Sequence, residues 1–142
     1  METGLLHLHN VLRWVVLILL LLSMAQAFSK KESVKSTSLF LMIAAHTMLL
    51  IGLYQMLGGR YSWGNLPEGV SVMKDSFYRF YLIEHPFLMI TAVVCITWAR
   101  TKAKTLAYRP AAYALLASLI MILAAMPWPF REVVGRPWFP GM

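Results

Sequence analysis

Histidine and a few charged residues lie in stretches of this sequence that are otherwise almost entirely apolar. All four histidines, together with Arg13 and Glu84, fall within or at the end of long hydrophobic blocks. Polar side chains are costly inside a bilayer, so those that occur there are candidates for function. The histidines are His7, His9, His46 and His85.

The depth of the histidines is compatible with a buried ligand site. Neutral imidazole binds iron, copper and zinc, and a b-type haem needs axial nitrogens, apolar walls and cations for its propionates. His46 lies near the middle of the second block, and His85 lies roughly 10 Å into the third, at about 1.5 Å of rise per residue. His46 and His85 are therefore the first predicted axial pair, and His9 with His85 is the second.

Two arginines are placed to hold the propionates of such a haem. Arg13 follows His9 by four residues and shares its helix face, and Arg79 precedes His85 near the end of its block. His7 and His9 are about 200° apart around a helix, so only one of them can face a bundle. The stripe shared with Arg13 favours His9, and the sequence therefore predicts one haem at most.

The third block carries two further unusual residues. Glu84 must be protonated, paired or in contact with water, which predicts either an ion pair with Arg13 or Arg79 or a proton relay. Pro86 lacks an N–H group and should disturb the helix beside His85.

The elements that position these residues are four apolar blocks. The composition is 59% hydrophobic and 13% charged, with a mean hydropathy of +0.64, which is far from that of a soluble domain. A spanning helix needs roughly 20 apolar residues, and backbone groups in lipid must be paired within helices. The sequence predicts an all-α integral membrane four-helix bundle, one domain over 1–142. The predicted helices cover about 5–28, 38–57, 78–99 and 110–126.

The basic residues predict the orientation of the bundle. The net charge of +7 arises largely from the first and third loops, so it indicates membrane orientation rather than binding to nucleic acid. The positive-inside rule places those two loops in the cytoplasm and both termini outside. The predicted location is the inner membrane of a bacterium, with periplasmic termini. The basic residues of the two loops are Lys30, Lys31, Lys35, Arg100, Lys102, Lys104 and Arg109.

Several other signals are weak or absent. Ala25-Gln26-Ala27 has the pattern of a signal-peptidase site, but the preceding residues include Glu2 and no lysine, so we expect no cleavage. The single cysteine, Cys95, excludes an intrachain disulfide. No phosphate-binding loop, dinucleotide-binding motif or covalent haem motif is present.

Four short segments resemble a known family. They are Leu8–Trp14 (LHNVLRW), His46–Leu53 (HTMLLIGL), Glu84-His85-Pro86 and Pro127–Phe130 (PWPF). Together they resemble small four-helix membrane proteins of Bacteroidetes-type bacteria that are usually labelled cytochrome b, and the likeness covers most of the chain. The resemblance implies a b-type haem and electron transfer. The residues to which it points are His9, His46, His85, Arg13 and Glu84.

Three functions follow as hypotheses. The first is a membrane cytochrome b with one bis-histidine haem, which carries electrons between quinol and a partner on the outer face. Such a chain is an electron-transfer protein or a subunit of a larger respiratory complex rather than a free-standing enzyme. The second is a copper or zinc site or carrier, and the third is a non-catalytic subunit or assembly factor. The ligands of the second would be His9, His46, His85 and Glu84.

Overall fold

Four long helices account for most of the chain in the computed structural model, which describes residues 2–139. All four are long and apolar enough to cross a membrane, and the described part contains no strand. The all-α class and the four predicted blocks are confirmed. The helices are α1 (Glu2–Phe28), α2 (Val34–Gly58), α3 (Ser76–Lys104) and α4 (Tyr108–Ala125).

The end of α3 lies at Lys104, about five residues beyond the predicted end of that block, and the start of α2 also differs from the prediction. That helix begins at Val34, ahead of its predicted start. The hydroxyls of Thr37 and Ser38 donate to the carbonyls of Ser33 and Lys35, so they bond back along the chain instead of capping amide groups. The first turn of α2 therefore combines the fully buried Val34 with polar residues.

The helices pack as a closed ring in sequence order. Each contacts the next, and α1 also packs on α4, so α1 and α3 face each other across the bundle. Because neighbouring helices are antiparallel, α1 and α3 begin at the end where α2 and α4 finish. We call this the cavity end and the opposite end the packed end.

Small residues fill the bundle toward the packed end. Fully buried alanines lie on α3 and α4, and they allow the two helices to approach closely. Ser118 of α4 adds a hydrogen bond from Oγ to the Ala92 carbonyl of α3 at 3.2 Å. The alanines are Ala99, Ala103, Ala111 and Ala112.

A wider helical turn interrupts α3 just before its histidine. Residues Phe80–Glu84 form a π-helical turn, and the backbone N–H of His85 donates to the carbonyl of Phe80. Pro86 follows at the start of the regular α-helix. The π turn lies directly before Pro86, where the sequence predicts a disturbance of the helix, and such turns are frequent at functional sites.

The C-terminal tail, residues 126–139, folds back across the cavity end. The Tyr81 hydroxyl of α3 donates to the Val134 carbonyl at 2.6 Å, and Arg13 of α1 donates to the Trp138 carbonyl at 2.8 Å. Side chains of α1 and α3 therefore bind the tail through hydrogen bonds to its backbone carbonyls.

Candidate functional site

A cavity of about 410 Å³ opens between the helices at the cavity end. Its volume lies within the range of about 300 to 1,000 Å³ that is typical of small-molecule and cofactor sites. All four helices contribute apolar walls. Examples are Val16 of α1, Met48 and Leu53 of α2, Met89 of α3 and Ile122 of α4.

Two histidines meet across this cavity. His9 of α1 and His85 of α3 both line it, and their ring centroids are 6.4 Å apart with an angle of 59° between the ring planes. Since α1 and α3 are diagonal in the bundle, these side chains bridge its centre. A ligand held between them would be enclosed by α2 and α4.

The ring of His85 is oriented by a backbone carbonyl. Its Nδ1 lies 2.8 Å from the carbonyl oxygen of Ala125, the last residue of α4, whose carbonyl has no partner within its own helix. A carbonyl only accepts, so Nδ1 must carry the proton and donate it. Nε2 then keeps its lone pair, which is the arrangement that supports metal-binding histidines.

His9 is accommodated by a glycine of α2. A Cβ atom at Gly52 would lie only 3.3 Å from Cε1 of His9, so any larger residue would press on the imidazole. His9 Nδ1 is buried on the same side, 3.9 Å from the position of that Cβ atom. The absence of a side chain at residue 52 therefore leaves room for the ring between α1 and α2.

His46 faces away from this site. Its side chain is exposed, and its Nδ1 lies 2.8 Å from the Met42 carbonyl of its own helix. The neighbouring Ala45 is buried and lines the cavity instead. The structure thus brings together the second predicted pair, His9 and His85, and not His46 and His85. His7 also lies outside the cavity lining.

Arg13 lines the cavity and is nearly buried, with 6% of its surface exposed. The Arg13 guanidinium donates to the Trp138 carbonyl, and the same oxygen accepts from Trp14 Nε1 at 3.0 Å. Nε of Arg13 is buried without a partner. Arg13 therefore links the tail to α1, and its Nε–H group can still donate a hydrogen bond.

Arg79 and Glu84 are engaged with each other outside the cavity. Nε of Arg79 lies 2.9 Å from Oε1 of Glu84, and Nη1 of Arg79 donates to the Met73 carbonyl at 3.0 Å. The expected ion pair of Glu84 is confirmed with Arg79 as its partner rather than Arg13. Neither side chain lines the cavity, so the predicted contact of Arg79 with propionates there has no support in this geometry.

Three lining residues were missed by the sequence reasoning. Tyr81, Arg60 and Arg136 contribute polar groups to the cavity, and Nε of Arg136 donates to the Tyr81 hydroxyl at 3.1 Å. The spacing of Tyr81, four residues before His85, could have placed both on one helix face. The two arginines lie in a loop and in the tail, where periodicity gives no signal.

The four-ligand copper or zinc site predicted from the sequence is not assembled. Within residues 2–139, no three side chains of the His, Cys, Asp or Glu type are grouped as metal ligands. His46 is exposed and Glu84 is paired elsewhere, so only His9 and His85 remain. Two imidazoles alone fall short of the four ligands that a structural zinc site requires.

Comparison with known proteins adds no assignment. No protein-family model, no curated protein and no solved structure matches this chain. The resemblance to proteins labelled cytochrome b therefore remains a sequence-based expectation.

Proposed function

We propose that this protein is a membrane cytochrome b that holds one haem between His9 and His85. The haem would carry electrons between quinol in the bilayer and a partner at the cavity end. The proposal takes the second of the two predicted axial pairs, because that pair meets across the cavity.

The observation that carries the proposal is the spacing of the two imidazole rings. A metal–imidazole bond is about 2.0 Å long, and the centroid of a five-membered ring with bonds of about 1.35 Å lies about 1.15 Å from each atom. Two imidazoles on opposite sides of one metal ion therefore have centroids about 6.3 Å apart. The rings of His9 and His85 are 6.4 Å apart.

The surroundings of the two rings also suit a haem. The cavity walls are mostly apolar, and Arg13 is one of the few charged residues in their lining. The Ala125 carbonyl fixes the tautomer of His85 and increases the basicity of its free nitrogen. When bound, a haem supplies one-electron chemistry, while the chain orients the ligands and excludes water.

The direction of electron transfer rests on the predicted orientation. If the loops rich in Lys and Arg face the cytoplasm, the cavity end lies on the periplasmic side. Quinol oxidation releases protons, and the surface carboxylate Glu84 is then the proposed proton acceptor near His85. Fusion of a reporter enzyme to each terminus tests this orientation. A reporter that is active only outside the cytoplasm should then be active at both termini.

Reduction by a quinol tests the proposed function. Ferric protein in lipid nanodiscs should be reduced by duroquinol, as followed at the reduced α-band. His46→Ala should be reduced at the wild-type rate, because His46 lies outside the cavity. Haem that dithionite reduces but duroquinol does not would refute quinol as the donor.

A second candidate function is that of a subunit in a larger membrane complex. The observation that favours it is the exposed imidazole of His46 near the middle of α2. A polar group in lipid is stabilised when a neighbouring helix pairs with it. Loss of a co-purifying membrane protein from His46→Leu, but not from Leu50→Ala on the same exposed face, would support this role.

A further inference from the structure

We propose that Arg13, Arg60 and Arg136 form a carboxylate-binding subsite in the lining of the cavity. The ligand would then be an amphiphile with acidic groups at one end, which fits a porphyrin with two propionates. The identity of the porphyrin rests on the proposed function, whereas the anionic character of the ligand follows from the arginines. Arg60 and Arg136 thereby take the role that the sequence assigned to Arg79.

Three segments of the chain contribute these guanidinium groups to the lining of one cavity. Arg60, after α2, and Arg136, in the tail, lie 5.6 Å and 5.5 Å from the ring centroid of Tyr61. Arg136 also lies 5.3 Å from the ring centroid of Tyr81, and the Tyr81 hydroxyl accepts its Nε donor. Contacts with rings and a hydroxyl fix the direction of Arg136 without neutralising its charge.

Arg13 joins this group from α1. Its Nη2 contacts the carbonyls of Pro137 and Trp138 at 3.4 Å and 2.8 Å, the two residues that follow Arg136. Arg13 is nearly buried, and its Nε has no partner. A buried donor without a partner is unfavourable, so a ligand oxygen at this position would be stabilising.

No carboxylate among the described residues balances these charges. The described lining of the cavity includes three arginines and no Asp or Glu. In residues 2–139, the one ion pair between side chains joins Arg79 to Glu84, away from the cavity. Of the three, Arg13 is buried, so its uncompensated charge is costly away from water, whereas Arg60 is exposed and Arg136 is half-buried. Planar guanidinium groups match the geometry of a carboxylate.

The site favours a cavity ligand over a lipid headgroup. Arg13, Arg60 and Arg136 line the same cavity as His9 and His85. A molecule that contacts both sets must have an acidic end, an apolar body and a centre that lies between two imidazoles. A lipid phosphate would satisfy only the arginines.

Metal-free protoporphyrin IX and its dimethyl ester test the subsite without axial ligation. Full-length protein in phosphatidylcholine nanodiscs is titrated with each compound, and porphyrin fluorescence reports binding. We expect wild-type protein to bind the diacid about tenfold more tightly than the diester, since the ester cannot accept charge-assisted hydrogen bonds as a carboxylate does. Arg136→Gln and Arg60→Gln should lose most of this preference, and the control Arg79→Gln should keep it.

Arg136→Lys provides a variant that retains the charge, for the case in which Arg136→Gln does not fold. It should show an intermediate preference, because lysine keeps the charge but loses the planar fork. Equal binding of diacid and diester by wild-type protein would overturn the proposal. Loss of the preference when anionic lipid is added would also overturn it, because the arginines would then be binding headgroup phosphates.

An iron spectrum separates this proposal from the proposed function. A preference for the diacid in protein that shows no bis-histidine haem spectrum would support the subsite and refute the cytochrome. A bis-histidine spectrum in protein with no such preference would support the cytochrome and refute the subsite.

Discussion

At the packed end, buried alanines such as Ala103 and Ala111 bring α3 and α4 into close contact, whereas at the cavity end the same bundle surrounds open space between His9 and His85. Toward the packed end the interior is filled by fully buried side chains, and Ser118 links α4 to the Ala92 carbonyl of α3 near the middle of the bundle. The cavity end combines imidazoles, guanidinium groups and a π turn. The two ends differ in what they place inside the bundle: small side chains in close contact at one end, and a cavity lined by polar groups at the other.

The largest expected contrast is between histidines at the cavity and the histidine outside it. His9→Ala and His85→Ala should each remove an axial ligand, so the haem content of folded protein should fall from about one per chain to a small fraction. His46→Ala should retain the wild-type haem content. A pyridine haemochrome assay of the three purified variants measures their haem content. Equal loss of haem in all three would contradict the assignment of His9 and His85 as the axial ligands.

Gly52 and Gly58 provide a matched pair on α2. A Cβ at Gly52 would lie 3.3 Å from the ring of His9, while a Cβ at Gly58 would have nothing within 4 Å. Gly52→Leu should displace His9 and weaken haem affinity by about tenfold or more, given an overpacking cost of roughly 1–3 kcal/mol. Haem titration of both variants is the measurement, and an equal effect of Gly58→Leu would argue against a specific contact with His9.

Substitutions at the packed end should change the stability of the protein rather than its haem binding. Ala112 is fully buried, and Ala117 on the same helix is exposed. Ala112→Leu should lower the free energy of unfolding by roughly 1–3 kcal/mol because it overfills a close helix contact, and Ala117→Leu should change it little. Denaturant unfolding gives the stability, and the haem content of the folded fraction should be unchanged in both.

The smallest expected effect is at the surface ion pair. Arg79 and Glu84 are both partly exposed and lie off the cavity, and such pairs contribute about 0.2–1 kcal/mol. Glu84→Gln should therefore leave haem content unchanged, while reduction by quinol should slow if the carboxylate accepts protons. Stopped-flow measurement of the rate of haem reduction by quinol compares Glu84→Gln with Arg79→Gln. An unchanged rate in Glu84→Gln would exclude the proton-accepting role.

The four helices could be predicted from the sequence because each is a long apolar block. The orientation of His46 could not, because α2 is apolar on all faces and its pattern does not distinguish the side that faces the bundle. Arg13 and His9 could be placed on one face by their spacing of four residues. The tail could not be placed, since Arg13 and Tyr81 hold it through backbone carbonyls, which have no signature in side-chain types.

A reduced-minus-oxidised visible spectrum of detergent-purified wild-type protein from haem-replete cells tests the central claim most directly. The account predicts a sharp reduced α-band and about one haem b per chain, with the low-spin signature of two axial histidines. Protein that shows no Soret band after haem supplementation, or that binds haem with a single axial histidine, would contradict it.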